Sequence, residues 1–192
     1  MCQGWHGIQG GIKMKKLIPF IIMLLVLAGV VVGINVLQDK MDSTSGSPSV
    51  MFSATDRKGM PYTESVFSEN KITMINLWEP WCGPCVSEMP GIQRLYSTYK
   101  DKGLMVIGVY TTDNMEFQVS QVLRDAGVTY PVILDDTSFK RFRTGSVPTT
   151  FFVDSKGQVI DMKKSTSRSG QPVVVGSRSY EDWEAMIKPY LK

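Results

Sequence analysis

Two cysteines three positions apart, Cys82 and Cys85, stand in the run Trp81-Cys82-Gly83-Pro84-Cys85 and carry chemistry more directly than any other residues of the chain. Thiols at this spacing can close a disulfide and reopen it by exchange, provided one sulfur is held where its thiolate is stabilised. A helix N-terminus is such a place, because its unpaired amides and its dipole favour negative charge. The surrounding residues predict that setting. An apolar run ending at Trp78 is followed by a short bend and then by Gly83-Pro84, and proline suits the first turn of a helix because its missing N–H would have no partner there. Cys82 is therefore expected exposed at the helix mouth as the nucleophile. Cys85, one turn further on the same side, is placed to resolve the mixed disulfide that Cys82 forms.

Other uses of the pair fit less well. A static disulfide across so short a loop removes little entropy from the unfolded chain. A structural zinc site needs four ligands, yet the only other cysteine is Cys2 and the only histidine is His6, both ahead of the main domain. Haem attachment through C-x-x-C-H fails because residue 86 is valine. The same shortage of imidazole excludes serine-histidine and cysteine-histidine catalysis. Peroxidase chemistry is disfavoured because no T-x-x-C nucleophile is present. A net charge of +3, with no basic run interleaved with aromatics, gives no support for a nucleic-acid partner. No metal and no cofactor beyond the pair itself is expected.

The elements that must position the cysteines follow from hydrophobic periodicity. Residues 50–54 and 60–63 flank the turn-forming Asp56-Arg57-Lys58-Gly59 and predict a hairpin. The run 72–78 predicts a strand buried on both faces, and 104–110 a second. Between them, Val86, Met89, Ile92, Leu95, Tyr96 and Tyr99 recur at helical spacing over 83–100, with Gly103 as a stop. A helix over 114–126, a strand over 131–134, a hairpin from 149–153 to 158–162 and a closing helix over 180–191 complete the order. The segment 163–179 yields no assignment, and no internal repeat is present.

Ahead of this domain, residues 17–37 carry no charged side chain and would form a helix about 30 Å long, the thickness of a bilayer's hydrocarbon core. Lys13, Lys15 and Lys16 precede it, so the positive-inside rule puts residues 1–16 in the cytoplasm as a short stub and the rest outside. A cleaved signal peptide would have a shorter apolar core and a small-residue cleavage site, so an uncleaved single-pass anchor is expected. Residues 38–50 have linker composition, and 51–192 form the soluble domain.

Residues 51–192 resemble the membrane-anchored, thioredoxin-like reductases of the TlpA and ResA group. The resemblance is carried by Asn76-Leu77-Trp78, Trp81-Cys82-Gly83-Pro84-Cys85, Glu88-Met89-Pro90 and Gly145-Ser146-Val147-Pro148-Thr149-Thr150-Phe151. It implies an α/β thioredoxin fold, a central mixed sheet flanked by helices, with an N-terminal β-hairpin and an inserted strand and helix. It also implies a cis Pro148 beside the cysteines, with Val147 offering its backbone to a substrate segment; Trp81, as a large aromatic next to the pair, is expected to pack beside the site as an apolar platform.

Asn76 stands where cytoplasmic thioredoxins have a buried aspartate. The proton role falls instead to Glu88, matching a glutamate that in the ResA branch lines a cavity near the cysteines; the alternative is a solvated helix residue. Gly83 and Pro84 are shared with reducing thioredoxins. Glu79, where the family more often has a small residue, either raises the Cys82 pKa by like-charge repulsion or points into water.

The implied activity is extracytoplasmic thiol-disulfide exchange, reducing disulfides of exported proteins, apocytochrome c among the candidates, with electrons from a membrane dithiol donor. A disulfide-donating oxidase and a non-catalytic binding or chaperone module are the alternatives.

Overall fold

A computed structural model describes residues 49–135, 137–162 and 170–192, with Met23 the one described residue before them. The expected stub, most of the expected anchor over 17–37 and nearly all of the linker lie outside the described residues. Among the described residues, no helix is long and apolar enough to cross a membrane.

The chain enters through a hairpin of β1 (Ser53–Thr55) and β2 (Pro61–Thr63). Its turn is built by Asp56, whose Oδ1 accepts from the amides of Lys58 at 2.8 Å and Met60 at 2.9 Å, while Gly59 takes the positive φ of 83°. A single helical turn, α1 (Ser65–Ser68), follows; it went unpredicted because four residues are too short for a periodic signal. Then come β3 (Ile72–Leu77), α2 (Gly83–Tyr99), β4 (Leu104–Tyr110), α3 (Glu116–Asp125) and β5 (Val132–Leu134). The chain closes with β6 (Thr149–Asp154), β7 (Val159–Ile160), β8 (Val174–Val175) and α4 (Tyr180–Ile187). The α4 helix gives way to a 3₁₀ turn at 188–190, earlier than its apolar pattern suggested, because Pro189 has no N–H to continue the ladder.

The main sheet runs β5-β4-β3-β6-β7, with β8 also on β6. β3, β4 and β5 are mutually parallel, while β6 is antiparallel to β3. This is the mixed, helix-flanked sheet of the thioredoxin fold. All six residues of β3 are buried, as its continuous apolar reading required. Strand alternation sends Ile72 and Met74 towards α2 and α4, where they meet Met89, Ile92 and Trp183. Ile75 and Leu77 face the opposite layer, against Phe52, Phe67, Phe139 and Phe142. By the same period, Asn76 lies on the α2 side, directly opposite Thr150 of β6.

The hairpin is fastened to the sheet's open edge. Asp56 bridges to Ile133, the Arg57 amide donates to the Val132 carbonyl at 3.1 Å, and the Arg57 guanidinium reaches Tyr110 Oη at 2.9 Å, Ser120 Oγ at 2.6 Å and Glu116. Covering an edge strand in this way blocks sheet-to-sheet pairing.

Candidate active site

The site forms where β3 stops. The Trp78 amide still donates to the Val109 carbonyl at 2.9 Å, and the chain then turns through Glu79-Pro80-Trp81, closed by the Cys82 amide on the Glu79 carbonyl at 3.0 Å. Cys82, with φ −88° and ψ 100°, is the N-cap of α2. Its Sγ accepts from the Cys85 amide at 3.2 Å, so the sulfur itself occupies the acceptor position that serine or aspartate fills in other helices. Pro84 sits in the first turn, where its missing donor costs nothing.

Cys82 and Cys85 are joined as a disulfide with Cα atoms 5.2 Å apart. The expectation of an exposed Cys82 is corrected. It is 5% accessible and Cys85 0%, because both pack into the buried cluster that holds Trp78 and Met89, against which Val147 of the loop before β6 also packs. The exposed group at the helix mouth is Trp81, at 63%. Gly83 has no atom within 4 Å of where a Cβ would stand, so the surface over Gly83 itself is open.

On the other side of the disulfide, the Val147–Pro148 peptide is cis. Cys82 Sγ lies 3.6 Å from the Val147 carbonyl oxygen; a disulfide sulfur has no proton, so this is a contact until reduction supplies an S–H. The approach to Pro148 is held by threonines. Thr149 Oγ1 donates to the Ser146 carbonyl at 2.7 Å, Thr144 Oγ1 meets Thr149 Oγ1 at 3.0 Å, and Gly145 supplies a φ of 81°. Between this loop and the end of β3 lies a cleft of about 200 Å³, lined mainly by Leu77, Trp81, Val109 and Val147, with Glu79 and Arg143 as its charged members.

Glu88 lies three residues beyond Cys85 on the buried face of α2 and is 4% accessible. Its Oε1 accepts from Asn76 Nδ2 at 3.0 Å, and Asn76 in turn donates to Thr150 Oγ1 at 2.9 Å. Its Oε2 accepts from the Arg178 amide at 3.1 Å. Burial pushes the carboxyl up to about 7, against the opposing pull of the Arg178 amide, the Asn76 amide and the Arg178 charge. A carboxyl with that affinity exchanges protons near neutrality. The solvated alternative for Glu88 does not hold.

Glu79 is also buried, at 5%. Its Oε1 accepts from the Thr111 amide at 3.0 Å and from Thr111 Oγ1, and its Oε2 accepts from Thr112 Oγ1 at 2.6 Å. The carboxylate thus ties the bend before Cys82 to the end of β4 instead of pointing into water. Glu79→Ala is expected to cost about 1–3 kcal/mol in denaturant unfolding, because the charge-assisted hydrogen bonds from Thr111 and Thr112 are lost, and Glu79→Gln less, since Oε1 is retained.

Arg178, Thr111 and Thr112 were not anticipated. Two threonines directly after a buried parallel strand, at the carboxyl edge of the sheet, are a usable signal, since sites in open α/β sheets collect there. Nothing in 163–179, polar apart from Val173-Val174-Val175, marks Arg178.

The AhpC/TSA family model matches residues 46–162, more than half of the chain. The thiol-disulfide oxidoreductase ResA of Bacillus cereus is 31% identical over 155 residues, covering 78% of this chain and 88% of that relative. The chain belongs to the AhpC/TSA family, in its ResA group of thiol-disulfide oxidoreductases. ResA of Geobacillus kaustophilus is 28% identical over 181 residues, 92% of this chain and 97% of that relative. A thioredoxin-family thiol:disulfide interchange protein from Chlorobium tepidum has a crystal structure that superposes with a TM-score of 0.63 at 25% identity, covering 77% of this chain and 97% of that one. This ResA-type chain is therefore an enzyme of thiol-disulfide exchange, and its disulfide, cis-proline loop and buried glutamate occupy one corner of the sheet.

Proposed function

We propose that this oxidoreductase reduces disulfides of exported proteins outside the cytoplasmic membrane, with Cys82 attacking and Cys85 resolving, and apocytochrome c as the candidate substrate the ResA resemblance brings. Residues 17–37 anchor it as a single pass, residues 1–16 stay in the cytoplasm, and a membrane dithiol protein returns two electrons per turnover. The redox-active pair is its only cofactor.

The observation that carries this reading is the asymmetry around the disulfide. Cys82 caps the helix beside a largely apolar cleft and the Val147 carbonyl, whereas Cys85 is sealed beneath, one turn from a proton-exchanging Glu88. An extended peptide can pair with the Val147 backbone and rest an apolar side chain in the cleft and on Trp81. A module that only bound peptides would need the cleft but neither thiol.

Direction and compartment have separate tests. A reduction potential within about −230 to −270 mV is expected for a reductase, and a value near −120 mV would instead mark a disulfide donor. In intact cells, a membrane-impermeant maleimide added after mild reduction should label Cys82. Labelling only after lysis would sink the extracytoplasmic placement.

A further inference from the structure

The turn between β8 and α4 touches both halves of the site. The Arg178 guanidinium donates back to three carbonyls of its own turn, from Nη2 to Val175 at 3.2 Å and from Nη1 to Gly176 at 3.1 Å and Ser177 at 2.8 Å. Gathering three carbonyls around one side chain curls the main chain, and Gly176 permits the curl with a φ of 87°. The amides on the other side of the curl then point inward. That of Arg178 donates to Glu88 Oε2 at 3.1 Å, and that of Gly176 donates to the Pro148 carbonyl at 2.8 Å.

We propose that Arg178 is a positioning residue for catalysis, whose guanidinium sets one turn that holds both the Glu88 carboxylate and Pro148, in the loop that carries the Val147 carbonyl. The functional consequence rests on the reading of Glu88 as the proton acceptor, but the geometry does not. Lysine cannot replace arginine here, because an ammonium lacks the planar fork that spans several carbonyls. Among the described residues, the titratable and charged groups facing Glu88 are Arg178 itself and Tyr130, whose phenol pKa is raised first by burial and then by the Glu88 charge; Asn76 and Trp183 are its neutral neighbours.

The test compares Arg178→Met and Arg178→Lys with the parent, reading the Glu88 carboxyl titration by ¹³C NMR in the oxidised protein and KM for a peptide disulfide. In Arg178→Met the Glu88 midpoint should rise by about one pH unit, as an aimed amide and a nearby cation are lost. KM should rise roughly two- to tenfold, the scale of one displaced hydrogen bond. Arg178→Lys should recover only part of the midpoint and none of the KM. Full recovery by lysine would overturn the proposal, since charge alone would then suffice. So would an unmoved midpoint in Arg178→Met. Failure of the Glu88 reading looks different: Glu88→Gln would leave the pH–rate profile unchanged while the NMR midpoint still moved in Arg178→Met.

Discussion

Cys82→Ser is expected to reduce peptide-disulfide turnover to the uncatalysed rate, whereas Cys85→Ser should still attack once and then stall as a mixed disulfide. In the proposed reduction, the Cys82 thiolate breaks the substrate S–S bond and forms a Cys82–substrate disulfide, releasing one substrate thiolate that takes up a proton. Cys85, as thiolate, then attacks Cys82 Sγ, closing the enzyme disulfide and releasing the second substrate sulfur. Two electrons have passed from enzyme to substrate. The roles follow from position, since Cys82 touches the carbonyl of Val147, which with Trp81 lines the cleft, while Cys85 has no accessible surface. Mass spectrometry of each variant after mixing with a peptide disulfide reads the outcome. A trapped adduct on Cys82→Ser instead of Cys85→Ser would reverse the assignment, and sustained turnover by either would remove the mechanism.

Glu88 should leave a large mark on the pH dependence of folding. Its carboxyl is raised from 4.5 to about 7 in the folded protein, so between those values the native state keeps a proton that the unfolded chain has released. Stability therefore falls as pH rises from about 4.5 to about 7 and is level in this respect outside that window; the integrated loss is about 3 kcal/mol. In the oxidised protein neither cysteine titrates, so the difference between parent and Glu88→Gln isolates this contribution. The variant should lack the slope. It should also carry a constant offset of about 1–3 kcal/mol, because a glutamine amide faces donors on both sides, from Asn76 and Arg178. Urea midpoints at pH 4.5, 6 and 7.5 check this, and parallel profiles for the two proteins would place the Glu88 pKa near that of an ordinary carboxyl.

How far the sequence could lead is seen at particular residues. The strands β3 and β4 and the helix α2 announced themselves, because long buried elements have strong periods. Glu88 was legible in principle. It falls within the stripe Cys85, Met89, Ile92 that faces the core, and a carboxylate in that register is either buried or breaks the helix face. Glu79 was not legible, since a bend has no period and its partners, Thr111 and Thr112, lie over thirty residues away. The two-residue β8 and the turn at Arg178 were hidden for the same reason: their place is set by β6 and by the site, not by local preference. The accessibility of Cys82 was misjudged because a helix mouth is open only until another loop crosses it, and the Val147–Pro148 segment does.

The sulfur that caps α2 also has a thermodynamic consequence. A thiolate accepts the Cys85 amide more strongly than a disulfide sulfur does, and the unfolded chain offers neither state a helix end. Oxidation and unfolding therefore form one closed cycle. Once the small loop entropy of so short a ring is set aside, the difference in unfolding free energy between reduced and oxidised protein equals the displacement of the pair's midpoint from that of the same pair in an unfolded peptide. A denaturant thus reads how far the fold displaces the pair's midpoint from that of an unfolded peptide, without a partner protein.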